Sequence, residues 1–347
     1  MRGPVAVAIL SLTAFGGEAA AQSPEWDVCR GNDTQKSVVA CSALIDGGQL
    51  GGLDLSNAYY NRAWSYNDLR DYEKSLADYT KCAELDPQNK DCQNGLAAVH
   101  LSLSAYDDAI AAADRAIAID ARFALAYANK GNALRRKGLY PQAVAELTKA
   151  IDLDPRSTYA YYQRGQAYLD IEDHEKAVAD LSRALVVDPK HVDARVSRGF
   201  AERALGQFDK ALDDLTTAIG ASPDYAYALG LRGLVQLDKG DPKAARSDFD
   251  HAIQVEPNVT WYYSYRGLAN LRDNSDAAAQ ADFDKALSMF PADIETHVFL
   301  GLLKEKAGDK DGAKAAFHKA LDAQANIADA KRAQQQALDR LMVLESQ

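Results

Sequence analysis

The chain has 347 residues, 47% of them hydrophobic, 26% charged and 8% aromatic, and its 39 basic and 50 acidic side chains leave a net charge of −11. That apolar fraction excludes wholesale disorder and collagen-like structure. The acidic balance excludes a general nucleic-acid binder, because nothing offsets repulsion from a phosphate backbone.

The first predicted element is an address. Arg2 gives a short positive start, Pro4 to Phe15 form an apolar run of twelve residues, and Ala19-Ala20-Ala21 place small side chains ahead of Gln22. This is the pattern of a secretory signal peptide at 1–21, cut near Ala21, and its apolar run is too short to span a bilayer. Asp27 and Val28, directly before Cys29, are not the small residues a lipoprotein anchor needs. The expected product is periplasmic or secreted, with no membrane insertion.

From residue 56 the chain repeats every 34 residues. Pro87, Pro155, Pro189, Pro223, Pro257 and Pro291 fall on one grid, whose other slots hold Ala121 and Ala325. With that proline as position 32, eight repeats span 56–89, 90–123, 124–157, 158–191, 192–225, 226–259, 260–293 and 294–327. Position 8 reads Ala63, Ala97, Gly131, Gly165, Gly199, Gly233, Gly267 and Gly301, and positions 20 and 27 are small in the same register, as at Ala143 with Ala150 and Ala279 with Ala286. Antiparallel helices approach closely only where neither carries a large side chain, so these columns mark a crossing. Gly138, Gly206, Gly240 and Gly308, at position 15, suit the left-handed residue that ends a first helix, and the proline closes the second. Large residues at position 24, such as Leu147, Phe249 and Phe283, are expected to fill the space between hairpins too thin to stand singly.

On these columns the chain resembles the tetratricopeptide-repeat family over residues 56–327. Aromatics stand at position 4 in only some repeats (Tyr59, Tyr127, Tyr161, Tyr263), and the repeat 90–123 departs most, with Gly95 inside its first helix and no proline at Ala121. The resemblance implies an all-α, right-handed superhelical solenoid of antiparallel helix hairpins, with first helices lining a concave groove for protein–protein recognition. The same frame extends to both ends. Residues 22–55 read as a degenerate N-terminal capping repeat, in which Gly47, Gly48, Gly51 and Gly52 replace the end of the second helix. Residues 328–347 read as a C-terminal capping helix, with Ala330, Ala333, Ala337, Leu341 and Leu344 on one stripe.

Cys29, Cys41, Cys82 and Cys92 allow three disulfide pairings. In the extended frame Cys29 and Cys41 occupy positions 8 and 20, and Cys92 lies ten residues after Cys82 at the start of the next helix. The expected pairs are Cys29–Cys41 and Cys82–Cys92, which suit an oxidising compartment; the alternative is free cysteines standing in for alanine.

Position 7 reads Arg62, Leu96, Lys130, Arg164, Arg198, Arg232, Arg266 and Leu300, while position 23 reads Asp78, Ala112, Glu146, Asp180, Asp214, Asp248, Asp282 and Ala316. Six repeats carry both charges and two carry neither. Such co-occurrence predicts an ion pair between the two helices of each hairpin, and not an arginine-lined phosphate site.

No P-loop, nucleophile elbow, zincin or dinucleotide fingerprint occurs, and the six histidines form no column. No enzyme activity, cofactor or metal is expected. By the resemblance, positions 2, 5, 6, 9, 12 and 13 face a partner. In the N-terminal half these include Tyr60, Asn61, Trp64, Asn67, Asn129, Asn132, Arg135, Arg136, Tyr162, Gln163 and Gln166, a set suited to an extended peptide backbone. In the C-terminal half they include Phe200, Leu234, Trp261, Tyr265 and Leu268, an apolar wall suited to a hydrophobic helix or to self-association. The reading is a non-catalytic extracytoplasmic scaffold for a protein or peptide partner, and the alternative is a chaperone or assembly factor for envelope or secretion machinery.

Overall fold

Apolar and small residues at helical spacing, cut every 34 residues by a turn and a proline, dictate pairs of short helices. The computed structural model describes residues 23–324 and 328–346, so the expected signal peptide at 1–21 lies outside the described residues. Among the described residues there are helices and turns but no strand. The chain divides into two units. The first, ending at Glu172, holds α1 (Pro24–Cys29), α2 (Thr34–Asp46), α3 (Gly52–Asp68), α4 (Tyr72–Leu85), α5 (Lys90–Ser102), α6 (Tyr106–Ile119), α7 (Ala124–Arg136), α8 (Tyr140–Leu153) and α9 (Thr158–Asp170). The second, from Asp173, holds α10 (His174–Val187), α11 (Val192–Ala204), α12 (Phe208–Ala221), α13 (Ala226–Asp238), α14 (Pro242–Val255), α15 (Thr260–Arg272), α16 (Asp276–Met289), α17 (Ile294–Lys306), α18 (Lys310–Asp322) and α19 (Ala328–Glu345). Within each unit, consecutive helices pack as antiparallel neighbours.

The turn between the helices of a hairpin has one conformation throughout. Position 15 is left-handed in all eight repeats, at Gly138, Gly206, Gly240 and Gly308 and also at Arg70, Ser104, Glu172 and Asn274, with φ between 59° and 80°. Where the next residue is an aspartate its side chain caps the second helix, as where Asp71 accepts from the Lys74 amide and Asp241 from the Ala244 amide. A β-carbon in the left-handed region costs about 1–2 kcal/mol, so Arg70→Gly is expected to stabilise the first unit by about 1 kcal/mol in urea unfolding. Asn274→Gly should gain far less, because asparagine tolerates this region and Asn274 Oδ1 accepts from Lys306 Nζ at 2.9 Å. At the other junction the residue before the proline is extended, as at Asp86 and Asp154. Asp120 is extended as well although Ala121 follows it, so the proline-less repeat ends its second helix at the same place.

The small columns are the crossing points. Ala143, Ala211, Ala245 and Ala279 at position 20, and Ala150, Ala218, Ala252 and Ala286 at position 27, have no solvent exposure. The position 24 side chain rests on the position 8 glycine of its own hairpin: a β-carbon on Gly267 would stand 2.4 Å from the Phe283 ring, and one on Gly131 would stand 2.5 Å from Leu147 Cγ. It reaches the next hairpin too, with the Phe283 and Phe299 rings 6.2 Å apart. These residues therefore pack within hairpins as well as between them.

The charge columns close into clamps. Arg62 meets Asp78 at 2.6 Å, Lys130 meets Glu146 at 2.7 Å, Arg198 meets Asp214 at 2.5 Å, Arg232 meets Asp248 at 2.7 Å and Arg266 meets Asp282 at 2.6 Å. Each cation also reaches back to the preceding hairpin: Arg198 donates to Ser182 at 3.0 Å, Arg266 to Asp250 at 2.7 Å and Lys130 to Asp114 at 2.9 Å. The arginine column is thus consumed by the stack.

Both predicted bridges are present, with Cα separations of 4.8 Å for Cys29–Cys41 and 5.9 Å for Cys82–Cys92. The first holds α1 to α2 and the second holds the last turn of α4 to the first turn of α5. At the far end, α19 buries Ala337, Leu341 and Leu344, pairs Arg340 with Glu305, and uses Gln334 Nε2 to donate to the Ala320 and Ala323 carbonyls at 2.9 and 2.6 Å. Those carbonyls lie at the end of α18 and have no partner further along that helix.

Candidate binding groove

The first helices of the first unit carry amides and aromatics where those of the second carry leucine and phenylalanine. The consequence is visible in the core. The second unit has one continuous apolar cluster, while the first has three separate ones. Over these, α3, α5, α7 and α9 open a cavity of about 610 Å³.

Tyr60, Trp64, Asn67, Asn129, Asn132, Arg135, Arg136, Tyr162 and Gln163 all line this cavity. Asn61 does not; its Nδ2 donates to the Asn57 carbonyl at 2.9 Å, and it faces a smaller cavity with Trp26 and Asp54. Gln166 also lies outside the lining. The cavity adds Tyr79, Asp91, Asn94, Gly95, Leu101, Leu125 and Tyr159. Asp91, Asn94, Leu101, Leu125 and Tyr159 sit at repeat positions 2, 5 or 12, so the frame contained them without their being singled out. Tyr79 and Gly95 were legible only as a pair. The Tyr79 hairpin has Ala63 where most have glycine, so the ring leans onto the next hairpin, where a β-carbon on Gly95 would stand 2.3 Å away. Gly95, which departs from the repeat pattern, makes room for that ring.

The polar wall is only partly satisfied by the protein. Asn129 Nδ2 donates to Asn94 Oδ1 at 2.8 Å, Asn132 Nδ2 to the Tyr159 hydroxyl at 2.9 Å, and Arg135 to Asp170 at 2.9 Å. Asn67 Oδ1, Asn132 Oδ1, Gln163 Oε1 and Arg135 Nε are buried without a partner. Buried polar atoms are ordinarily paired, so these four leave three acceptors and one donor in a single cavity open to water or to a bound molecule. Burial pushes the Tyr60 and Tyr79 hydroxyls up, with the Asp91 charge second at Tyr60 and the neighbouring Tyr60 second at Tyr79, which keeps both as donors. Trp64 and Leu125 remain 47% and 43% exposed and form the apolar part of the wall.

The apolar wall expected in the second unit is largely closed. Leu234 and Leu268 are only 8% and 7% exposed, and Phe200, Trp261 and Tyr265 pack partly buried against the same cluster. Trp261 lies over Gly230, whose added β-carbon would come within 2.3 Å of the indole, and its ring centre is 4.3 Å from that of Tyr262. The residues are placed as the periodicity implied, but their faces turn to one another.

One acid in this unit is out of step. Glu202, on α11, is buried with Oε2 unpaired, and its nearest cation, Arg198, is 3.9 Å from Oε1 and already engaged by Asp214. Burial first, and the Asp214 charge second, push its carboxyl up to about 7. A raised acid keeps its proton in the fold, so its stabilising contribution is complete below the unfolded value of about 4.3 and is lost as pH rises through 7. Glu202→Gln is therefore expected to raise the urea midpoint at about pH 8, with the gain shrinking toward about pH 5.

Among the described residues, no cluster of histidine, cysteine and acid could hold a metal, and no helix is long and apolar enough to cross a membrane. Tetratricopeptide-repeat models match residues 56–89, 131–172, 165–229, 231–294 and 294–327. No curated protein matches the chain in sequence. Among solved structures, a tetratricopeptide repeat protein from Parabacteroides merdae is 18% identical with a TM-score of 0.52, the match covering 82% of this chain and 98% of that one. The APC/C hetero-tetramer Cut9–Hcn1 is 16% identical with a TM-score of 0.60, covering 92% of this chain and 65% of that one. Both likenesses show the fold, an all-α solenoid of helix hairpins, and repeats of this kind serve as scaffolds for protein–protein interaction.

Proposed function

We propose that this chain, which belongs to the tetratricopeptide-repeat family, is a non-catalytic extracytoplasmic scaffold that holds an extended segment of a partner protein in the cavity of its first unit. The observation that carries this reading is the set of four unpaired buried polar atoms lining one cavity of about 610 Å³. An extended backbone offers alternating N–H and C=O groups, which match amide acceptors and the Arg135 Nε donor. The two disulfides and the apolar N-terminal run support export. The closed apolar wall of the second unit gives little surface for shielding hydrophobic clients, so the scaffold is favoured over the chaperone.

The test is selection of a random peptide library on the purified chain. Enriched peptides should bind the wild type and lose about tenfold or more in affinity with Trp64→Ala plus Gln163→Ala. Thr80→Ala, on an exposed face outside the cavity, should leave binding unchanged. Enrichment that ignores the cavity variants would falsify the reading.

A further inference from the structure

The free charges of the cavity stand at opposite ends of its length. Asp91 is the second residue of α5, exposed, and in no ion pair among the described residues. Arg136 is the last residue of α7, also exposed, with a single bond from Nε to the Tyr106 hydroxyl at 3.3 Å. Its neighbour Arg135 is neutralised by Asp170, so the basic end carries one uncompensated charge. The helices α5 and α7 are the first helices of successive repeats and lie side by side. Position 2 of one and position 13 of the other are therefore about 16 Å apart along the helix direction, at 1.5 Å per residue. An extended chain advances about 3.3 Å per residue and covers that distance in about five residues. Leu125, at position 2, stands level with Asp91, while Trp64 at position 9 and the buried acceptor Gln163 Oε1 at position 6, in a side chain only 7% exposed, fall at intermediate heights.

We propose that the partner segment is an extended zwitterionic peptide: a basic side chain set against Asp91 with its stem over Leu125, an apolar one against Trp64, and an acidic side chain or chain-terminal carboxylate against Arg136. The inference rests on the groove reading above and adds a sequence pattern to it. The basic and acidic groups stand about four to six residues apart, with neutral amides and an apolar residue between them. Complementary charges at the two ends fix the direction in which the segment lies, because the reversed peptide would place like charges together.

The experiment pans one random peptide library against the wild type, Asp91→Lys, Arg136→Glu and the double variant. Both residues are exposed, and circular dichroism checks that each variant keeps its helices. Wild type should enrich peptides with a basic and an acidic residue at that spacing, and the double variant should enrich the inverse order. A wild-type peptide should lose about tenfold in affinity on either single variant, and recover when the facing peptide charge is reversed. Enriched peptides that bind in the cavity without this pattern, or whose pattern does not invert, overturn the proposal and leave the groove reading standing. No enrichment at all overturns the groove reading with it.

Discussion

Arg198→Leu is expected to lower the unfolding free energy of the second unit by about 3–5 kcal/mol. Asp214 is 1% exposed and receives Arg198 through Nε at 2.5 Å and Nη2 at 2.7 Å, with Arg195 more distant at 3.3 Å. Removing the guanidinium leaves a carboxylate out of water with one weak partner, and it also severs the bond to Ser182 that ties the hairpin to the one before it. Arg198→Leu with Asp214→Leu should be less damaging than Arg198→Leu alone, because no orphaned charge remains. Urea unfolding followed by far-UV circular dichroism reads the difference. A double variant as unstable as the single, or less stable, would show that the pair contributes through packing alone. Asp214→Leu alone should bring the Glu202 carboxyl down, since Asp214 is the leading charge that raises it and Arg198, which lowers it, stays in place.

The second large effect is at the hairpin crossing. Phe283→Ala should cost about 3–5 kcal/mol, the range for emptying a fully buried phenylalanine site. Gly267→Ala should cost about 1–3 kcal/mol in the wild type, since its β-carbon would meet the Phe283 ring at 2.4 Å. In the Phe283→Ala background the sign should reverse. With no ring to strike, alanine fills part of the void and gains the helix preference over glycine of about 0.8–1 kcal/mol. The chain already holds that combination, for Ala97 and Ala113 occupy the same two positions in the repeat 90–123 and both are buried. A Gly267→Ala penalty unchanged by the loss of the ring would mean that glycine serves the backbone at this position.

The helices, their turns and the charge clamps were legible in the sequence because each depends on contacts inside one period or between adjacent ones, so the physics recurs at fixed spacing. The left-handed turn was legible at Gly138 and Gly206 and silent at Arg70 and Glu172, where the fold imposes on a substituted residue a conformation that its type does not advertise. The polar face of the first unit was legible from its amides. Whether the apolar face of the second unit stands open was not, because that depends on how one first helix tilts against the next. Gly230 bears on it by leaving room for the edge of the Trp261 indole where a β-carbon would stand. Tyr79 and Gly95 form the same kind of pair in the first unit, and there the aromatic ring becomes part of the cavity wall.

The seating of Trp261 on Gly230 also bears on how such a chain can be rearranged over evolutionary time. Cutting out 226–259 as a block would leave the clamps intact, since Arg266 would find the Thr216 hydroxyl where Asp250 had been. The same excision would set Trp261 against Val196 in place of Gly230, and the branched side chain fills the space the indole needs. The polar rungs are interchangeable parts, whereas the aromatic ones record which hairpin must follow which. Duplication or loss of a whole period is thereby permitted at some junctions and barred at others.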